Sequence, residues 1–247
     1  MSEFRDNLAR IEDRIAAACR AVARPRAEVA LMAVSKTHPA SALAEASASG
    51  VTLFGENRVQ EFQGKLADLG CADAAGAESA GIRVHLIGKL QSNKSAKAAE
   101  IFSGVDSVDS LKLAQRLHDA ASRLGRSLPI LLEIKLSHEE TKSGLDPDSP
   151  ELAELLERLP ELSGVRLRGL MTVPPWSEDA ETARPYFARL RRLREELAAA
   201  HPRLDFTQLS MGMSGDFEVA IEEGSTCVRL GTALFGKRPY PAKPEES

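Results

Sequence analysis

The stretch LMAVSKTHPA, residues 31–40, runs five strand-like residues, Leu31 to Ser35, straight into Lys36, and Pro39 opens whatever follows. A short apolar run that ends at a charge is the form expected of a buried parallel strand whose end faces a site. Two uses for Lys36 compete here. It is either a solvated charge that ends a strand or an amine held ready for a carbonyl.

Working outward, Phe4, Leu8, Ile11, Ile15, Cys19 and Val22 recur at spacings of three or four, which predicts an amphipathic helix ahead of that strand. After it, β-rich runs alternate with helical patterns: VALMAVS, VTLFG, RVHLIG, the weaker GVDSVDS, ILLEIKL, LRGLMTV, DFTQLS and TCVRLG. Most are continuous apolar runs, as parallel strands covered by helices should be, and eight of them close a (β/α) barrel. Gly50, Gly70, Gly125 and Gly224 each follow a helical pattern and precede a strand, where a left-handed cap is expected. Ser110 is placed to cap a helix whose Leu111, Leu117, Ala121 and Leu124 face inward. The small-residue stretch 70–81 reads as a mobile loop, and the run 188–200 as an exposed helix laced with i,i+4 ion pairs. The fold expected is α/β, a single (β/α)8 TIM barrel over residues 1–236 with an additional N-terminal helix, followed by a loose Pro-rich tail, residues 237–247.

Composition narrows the classes of function. The chain has 247 residues with 32 basic against 36 acidic side chains, a formal net charge of -4, so no broad field draws it to nucleic acid or an anionic membrane. Cys19, Cys71 and Cys227 are too scattered for a disulfide framework or a metal site, and His38, His118, His138 and His201 lack ligand spacing. A charged N-terminus without a signal-peptide core and the lack of a bilayer-length apolar run lead to the expectation of a soluble cytoplasmic protein.

In a barrel of this kind chemistry gathers beyond the C-terminal ends of the strands, and phosphate is commonly held after strands seven and eight. Those two positions carry LSMGMSGDFEVAI, with Ser210, Gly212, Ser214 and Gly215, and RLGTALFG, with Gly231 and Thr232. Each alone is compatible with an ordinary turn and helix cap. Together they offer hydroxyls and open backbone N–H groups of the sort that cradle phosphate. A lysine at the barrel mouth, its pKa lowered by desolvation, then suggests a Schiff base with pyridoxal phosphate or with a phosphorylated sugar aldehyde. Lys89, Lys94 and Lys142 lie near strand ends as candidates for a second anion, with solvated charge the simpler reading. His85 reads as a hydrogen-bonded core histidine, and Met211 and Met213 as packing residues.

Seven segments, AVSKTHP, FGENRVQE, HLIGKLQSNK, TKSGL, GLMTVPP, LSMGMSGDFEVAI and GSTCVRLGTALFG, extend from Ala33 to Gly236. In that order they resemble the signature segments of the pyridoxal phosphate homeostasis protein family, the YggS or PROSC type, itself similar to the N-terminal barrel domain of alanine racemase. The resemblance implies that Lys36 carries pyridoxal phosphate as an internal aldimine and that Asn57 lies beside it. It further implies that Ser210, Gly212, Ser214, Gly231 and Thr232 hold the phosphate and that Arg229 faces the pyridine nitrogen. An arginine there keeps that nitrogen unprotonated and the ring a weak electron sink.

Three functions are then weighed. Racemisation needs acid/base groups on both faces of the substrate carbon, and the two tyrosines, Tyr186 in an outer helix and Tyr240 in the tail, are poorly placed for the second face. A sugar-phosphate aldolase has no use for an arginine opposite a pyridine ring. The reading adopted is a cofactor-homeostasis or carrier protein with little or no turnover, a single-domain racemase being the alternative. Pyridoxal phosphate is its expected ligand and cofactor-dependent apoenzymes its candidate recipients. A monomer or weak homodimer is expected, with no metal.

Overall fold

The computed structural model describes residues 2–137 and 143–236. His138, Lys142, Tyr240 and the tail 237–247 lie outside them. Eight parallel strands close a barrel in chain order: β1 (Ala30–Val34), β2 (Leu53–Glu56), β3 (Arg83–Leu86), β4 (Gly104–Val108), β5 (Leu128–Glu133), β6 (Val165–Met171), β7 (Gln208–Ser210) and β8 (Cys227–Leu230). Closure is made by the pairing of Ala30 with Cys227 through Ala33 with Leu230. Around it lie α1 (Glu3–Ala21), α2 (Ala40–Ala48), α3 (Val59–Asp68), α4 (Ala74–Ser79), α5 (Ser95–Ile101), α6 (Leu111–Arg123), α7 (Pro150–Arg158), α8 (Arg184–Ala200), α9 (Phe217–Glu222) and α10 (Thr232–Phe235). The TIM barrel with its additional N-terminal helix is thus the observed fold.

The main core lies between the sheet and the helices, where residues such as Phe54, Phe62, Phe102, Phe187 and Phe217 are fully buried. The faces of the strands explain the sequence pattern. Val84 and Leu86 are buried in this layer, whereas the intervening Arg83 and His85 line a cavity inside the barrel. Helix α1 packs beside the last two crossovers. Its Phe4 ring lies 5.2 Å from Phe235, its Asn7 Nδ2 donates to the Leu234 carbonyl at 2.9 Å, and Arg14 stacks on Phe217 at 4.6 Å. The additional helix therefore holds α9 and α10, the two helices that follow the polar loops.

The four capping glycines all adopt positive φ, and Ser110 Oγ accepts from the Leu113 N–H. Other expectations are corrected. Residues 70–81 are not a loop throughout, because Asp73 caps α4 by accepting from Gly76 N–H and the helix buries Ala74 and Ala77. Small residues are read as flexible, but alanine is also the best helix former, and burial of two methyl groups settles the choice. Leu124 is 51% exposed, since it lies just past the end of α6, where Leu113 and Ala114 complete the inward face instead. Helix α8 buries Phe187, Leu190 and Leu193, and its arginines reach other segments: Arg184 pairs with Glu181, Glu222 and Glu223, and Arg191 with Glu223. None of its ion pairs among the described residues has i,i+4 spacing.

Candidate cofactor-binding site

A cavity of about 570 Å³ opens at the C-terminal end of the barrel. Val34 and Lys36 reach it from the end of β1, Asn57 from just beyond β2, Ile87 from beyond β3, and Arg229 from β8. Residues 213–216 and Gly231 with Thr232 form another wall, and a segment between Val173 and Ala183 closes the side.

Lys36 is held at its backbone from both sides. Lys65, on α3, is 6% exposed and places its Nζ 2.9 Å from the Ser35 carbonyl, 2.6 Å from Glu56 Oε1 and 2.9 Å from Glu61 Oε1. Ser35 Oγ donates to the same Glu56 oxygen at 2.7 Å, and the Thr37 N–H donates to Glu61. Thr37 has φ 68°, a left-handed conformation that a β-branched residue adopts only when its surroundings enforce it. Burial pushes the Glu56 carboxyl up, with Lys65 and Ser35 working against it. Burial acts in the same sense on Glu61, but Lys65 and the Thr37 N–H outweigh it and hold that carboxyl below its ordinary value. These residues fix where β1 stops and where the Lys36 side chain leaves the strand.

Arg229 is 4% exposed. Its Nη1 donates to the Ser210 carbonyl at 2.6 Å and to Ser210 Oγ at 2.8 Å, and its Nη2 to the Thr172 carbonyl at 2.8 Å. Three of the five guanidinium N–H donors are thereby used within the described residues, leaving donor capacity for the cavity that Arg229 lines. Burial lowers the guanidinium pKa, opposed by the charges of Asp106, Asp216 and Glu133. The Glu133 carboxyl, at the end of β5, is itself pushed up by burial, with Ser143 Oγ donating to it at 3.1 Å.

At the other wall the Ala233 N–H donates to Ser214 Oγ at 3.4 Å, which ties the loop after β7 to the start of α10. A Cβ on Gly231 would come to 3.3 Å from the Val34 carbonyl, a tight contact, so glycine eases the close approach of this turn to β1. Gly212 is more strictly constrained, because it has φ 95° and a Cβ there would meet Ala220 at 2.6 Å.

Of the residues singled out in the sequence, Lys36, Asn57, Ser214, Arg229, Gly231 and Thr232 meet at this cavity. Ser210 and Gly212 do not line it. Ser210 is fully buried and holds Arg229, while Gly212 packs on α9. His85 bonds to Asp106 within the barrel, and Lys89 borders a neighbouring cavity with Lys135 and Glu133. Sequence reading missed Lys65, Glu61 and the wall at 173–183. The charged Lys65 on an otherwise amphipathic helix face was the available signal.

Residues 7–239 match the family model described as alanine racemase, N-terminal domain. The pyridoxal phosphate homeostasis protein of Pseudomonas aeruginosa is 46% identical over 98% of this chain and 99% of its own length, and that of Escherichia coli K12 42% identical over 98% and 100%. The chain belongs to the pyridoxal phosphate homeostasis protein family. A solved structure within reach of the family is PipY of Synechococcus elongatus with PLP bound, 43% identical, covering 92% of this chain and all of its own, with a TM-score of 0.75. The alanine racemase of Clostridium difficile shares the fold at 17% identity and a TM-score of 0.67, and this chain covers 58% of it.

Proposed function

We propose that this chain binds pyridoxal phosphate at the C-terminal mouth of its barrel, bonded to Lys36, and acts in intracellular cofactor homeostasis with little or no turnover. The observation that carries the reading is the convergence on a single cavity of one amine, one buried arginine and the hydroxyls of Ser214 and Thr232 on one wall. The residues fit the group: Gly231 leaves room where a Cβ would close on Val34, and Ser214 and Thr232 supply hydroxyls to a phosphate. When bound, pyridoxal phosphate supplies an aldehyde that condenses with a primary amine. Lys36 is the amine held for it, with its backbone fixed through Lys65 and Glu61. Asn57 would lie beside the bound group, and Arg229, oriented by Ser210 and Thr172, would set its positive charge toward the ring nitrogen and disfavour protonation there.

The carrier reading is preferred to the racemase because the cavity lining contains no tyrosine among the described residues; Tyr186 lies on α8 away from it. The relatives are likewise named for homeostasis. No described helix is long and apolar enough to cross a membrane, in keeping with a cytoplasmic role. The test is borohydride reduction of the cofactor-loaded protein followed by peptide mapping. A phosphopyridoxyl group on Lys36, and its loss with retained fold in Lys36→Ala, is expected. Modification centred on another lysine overturns the assignment.

A further inference from the structure

The opposite end of the barrel carries a second cavity, of about 330 Å³, lined by residues at the starts of the strands. In barrels of this type the inward positions are normally filled by bulky apolar side chains. Here the starts of β3 and β6 present Arg83, Arg166 and Arg168 at the rim of the cavity, the first two exposed and the third half-buried, while Ala30 and Pro129 are too small to fill the space beside them.

The charge is unbalanced. Arg168 Nη1 pairs with Asp205 Oδ2 at 2.8 Å, and Arg83 has a single 3.4 Å bond to the Thr52 hydroxyl. Arg166 makes no ion pair or side-chain hydrogen bond among the described residues. The one acid in the lining, Asp106, is 2% exposed and its Oδ1 accepts from His85 Nδ1 at 2.8 Å, which fixes the imidazole with its other nitrogen still available. Gln208 adds an amide that has no side-chain partner among the described residues. Three guanidinium forks around a space of this size, against two carboxylates that are already engaged, match an anion with several oxygens better than a single carboxylate.

We propose that the N-terminal mouth of the barrel is a binding site for a compact phosphate-type oxyanion, held by Arg83, Arg166 and Arg168 with His85 at its floor. It is distinct from the cofactor cavity, since parallel strands put the two at opposite ends of the same barrel. The ligand is either a free diphosphate or the phosphate of a small ester, which share this chemistry.

The test uses the full chain saturated with pyridoxal phosphate, so that the C-terminal mouth is filled. Inorganic pyrophosphate and glycerol phosphate are titrated in parallel by calorimetry, with the histidine ring signals followed by NMR. One equivalent of at least one probe should bind and shift the His85 signal, the tighter probe naming the source. Arg83→Gln and Arg166→Gln should each weaken binding about tenfold or more, as loss of a charge-assisted hydrogen bond does. Circular dichroism and the cofactor spectrum check the fold of each variant, and the wild-type NMR shift stands without any variant. Binding of neither probe at millimolar concentration, or affinity indifferent to both arginines, overturns the proposal.

Discussion

Replacing Lys65 by methionine tests whether the cluster behind Lys36 holds the end of β1. The change keeps much of the apolar stem but removes the cation that touches Ser35, Glu56 and Glu61. The side chains of Lys65 and Glu56 are 7% and 0% exposed, so the carboxylate left behind has no solvent to replace its partner. Breaking such a buried pair costs about 3–5 kcal/mol. For a domain of this size each kcal/mol lowers Tm by about 2–4 °C, so a fall of about 6–20 °C follows. The sign of the pH dependence is fixed by the two carboxyls. Glu56 is already raised by burial and loses the cation that opposed this, so its contribution in the variant declines as pH rises above the ordinary carboxylate range. Glu61 is lowered in the native protein, so it stabilises above its ordinary pKa and loses that effect as pH falls through the lowered value; the variant forfeits it at high pH. The Glu56 effect makes the deficit larger at pH 8 than at pH 5, whereas the Glu61 effect is already complete at pH 5 and fades only below the ordinary carboxylate range. Thermal melts followed by circular dichroism across that range, with Glu56→Gln/Lys65→Met as the variant in which both charges are removed, measure it. A melting point within about 2 °C of wild type at pH 8, or a deficit independent of pH, refutes the reasoning.

Trp176, the single tryptophan and 81% exposed, lines the cofactor cavity, so adding pyridoxal phosphate should quench its emission; unchanged emission at saturation would move the ligand elsewhere. Ser214→Ala with Thr232→Ala should weaken retention of pyridoxal phosphate by roughly 1.5–3 kcal/mol per lost charge-assisted hydrogen bond, while pyridoxal, lacking the phosphate, should bind as before in equilibrium dialysis. The Cys227 thiol, pushed up to about 12 by burial, should resist iodoacetamide in the native protein at pH 8, as should buried Cys19, with half-buried Cys71 labelled first; mass spectrometry of the labelled peptides reads the order.

The amino-acid sequence determined the barrel because a parallel strand covered by helices must be apolar along nearly its whole length. Runs such as ILLEIKL and VALMAVS can satisfy that demand only inside such a sheet. Even the weaker GVDSVDS contains strand β4, whose five residues Gly104–Val108 are all buried, with Ser107 Oγ bonded to the Gly88 carbonyl and Asp106 to His85. The strand ends also marked Lys36, Ser214, Gly231 and Thr232, since chain order and strand period fix which residues emerge at the mouth, while Asn57 and Arg229 were marked by the family resemblance. Tertiary structure alone decided what stands behind them. Ser210 turns from the cavity to hold Arg229, 19 residues away, and Lys65 gathers Ser35, Glu56 and Glu61 from separate elements. Helical and strand periodicities specify a face but not the partner across it. A buried charge finds its counter-ion only through the packing that removes both from water.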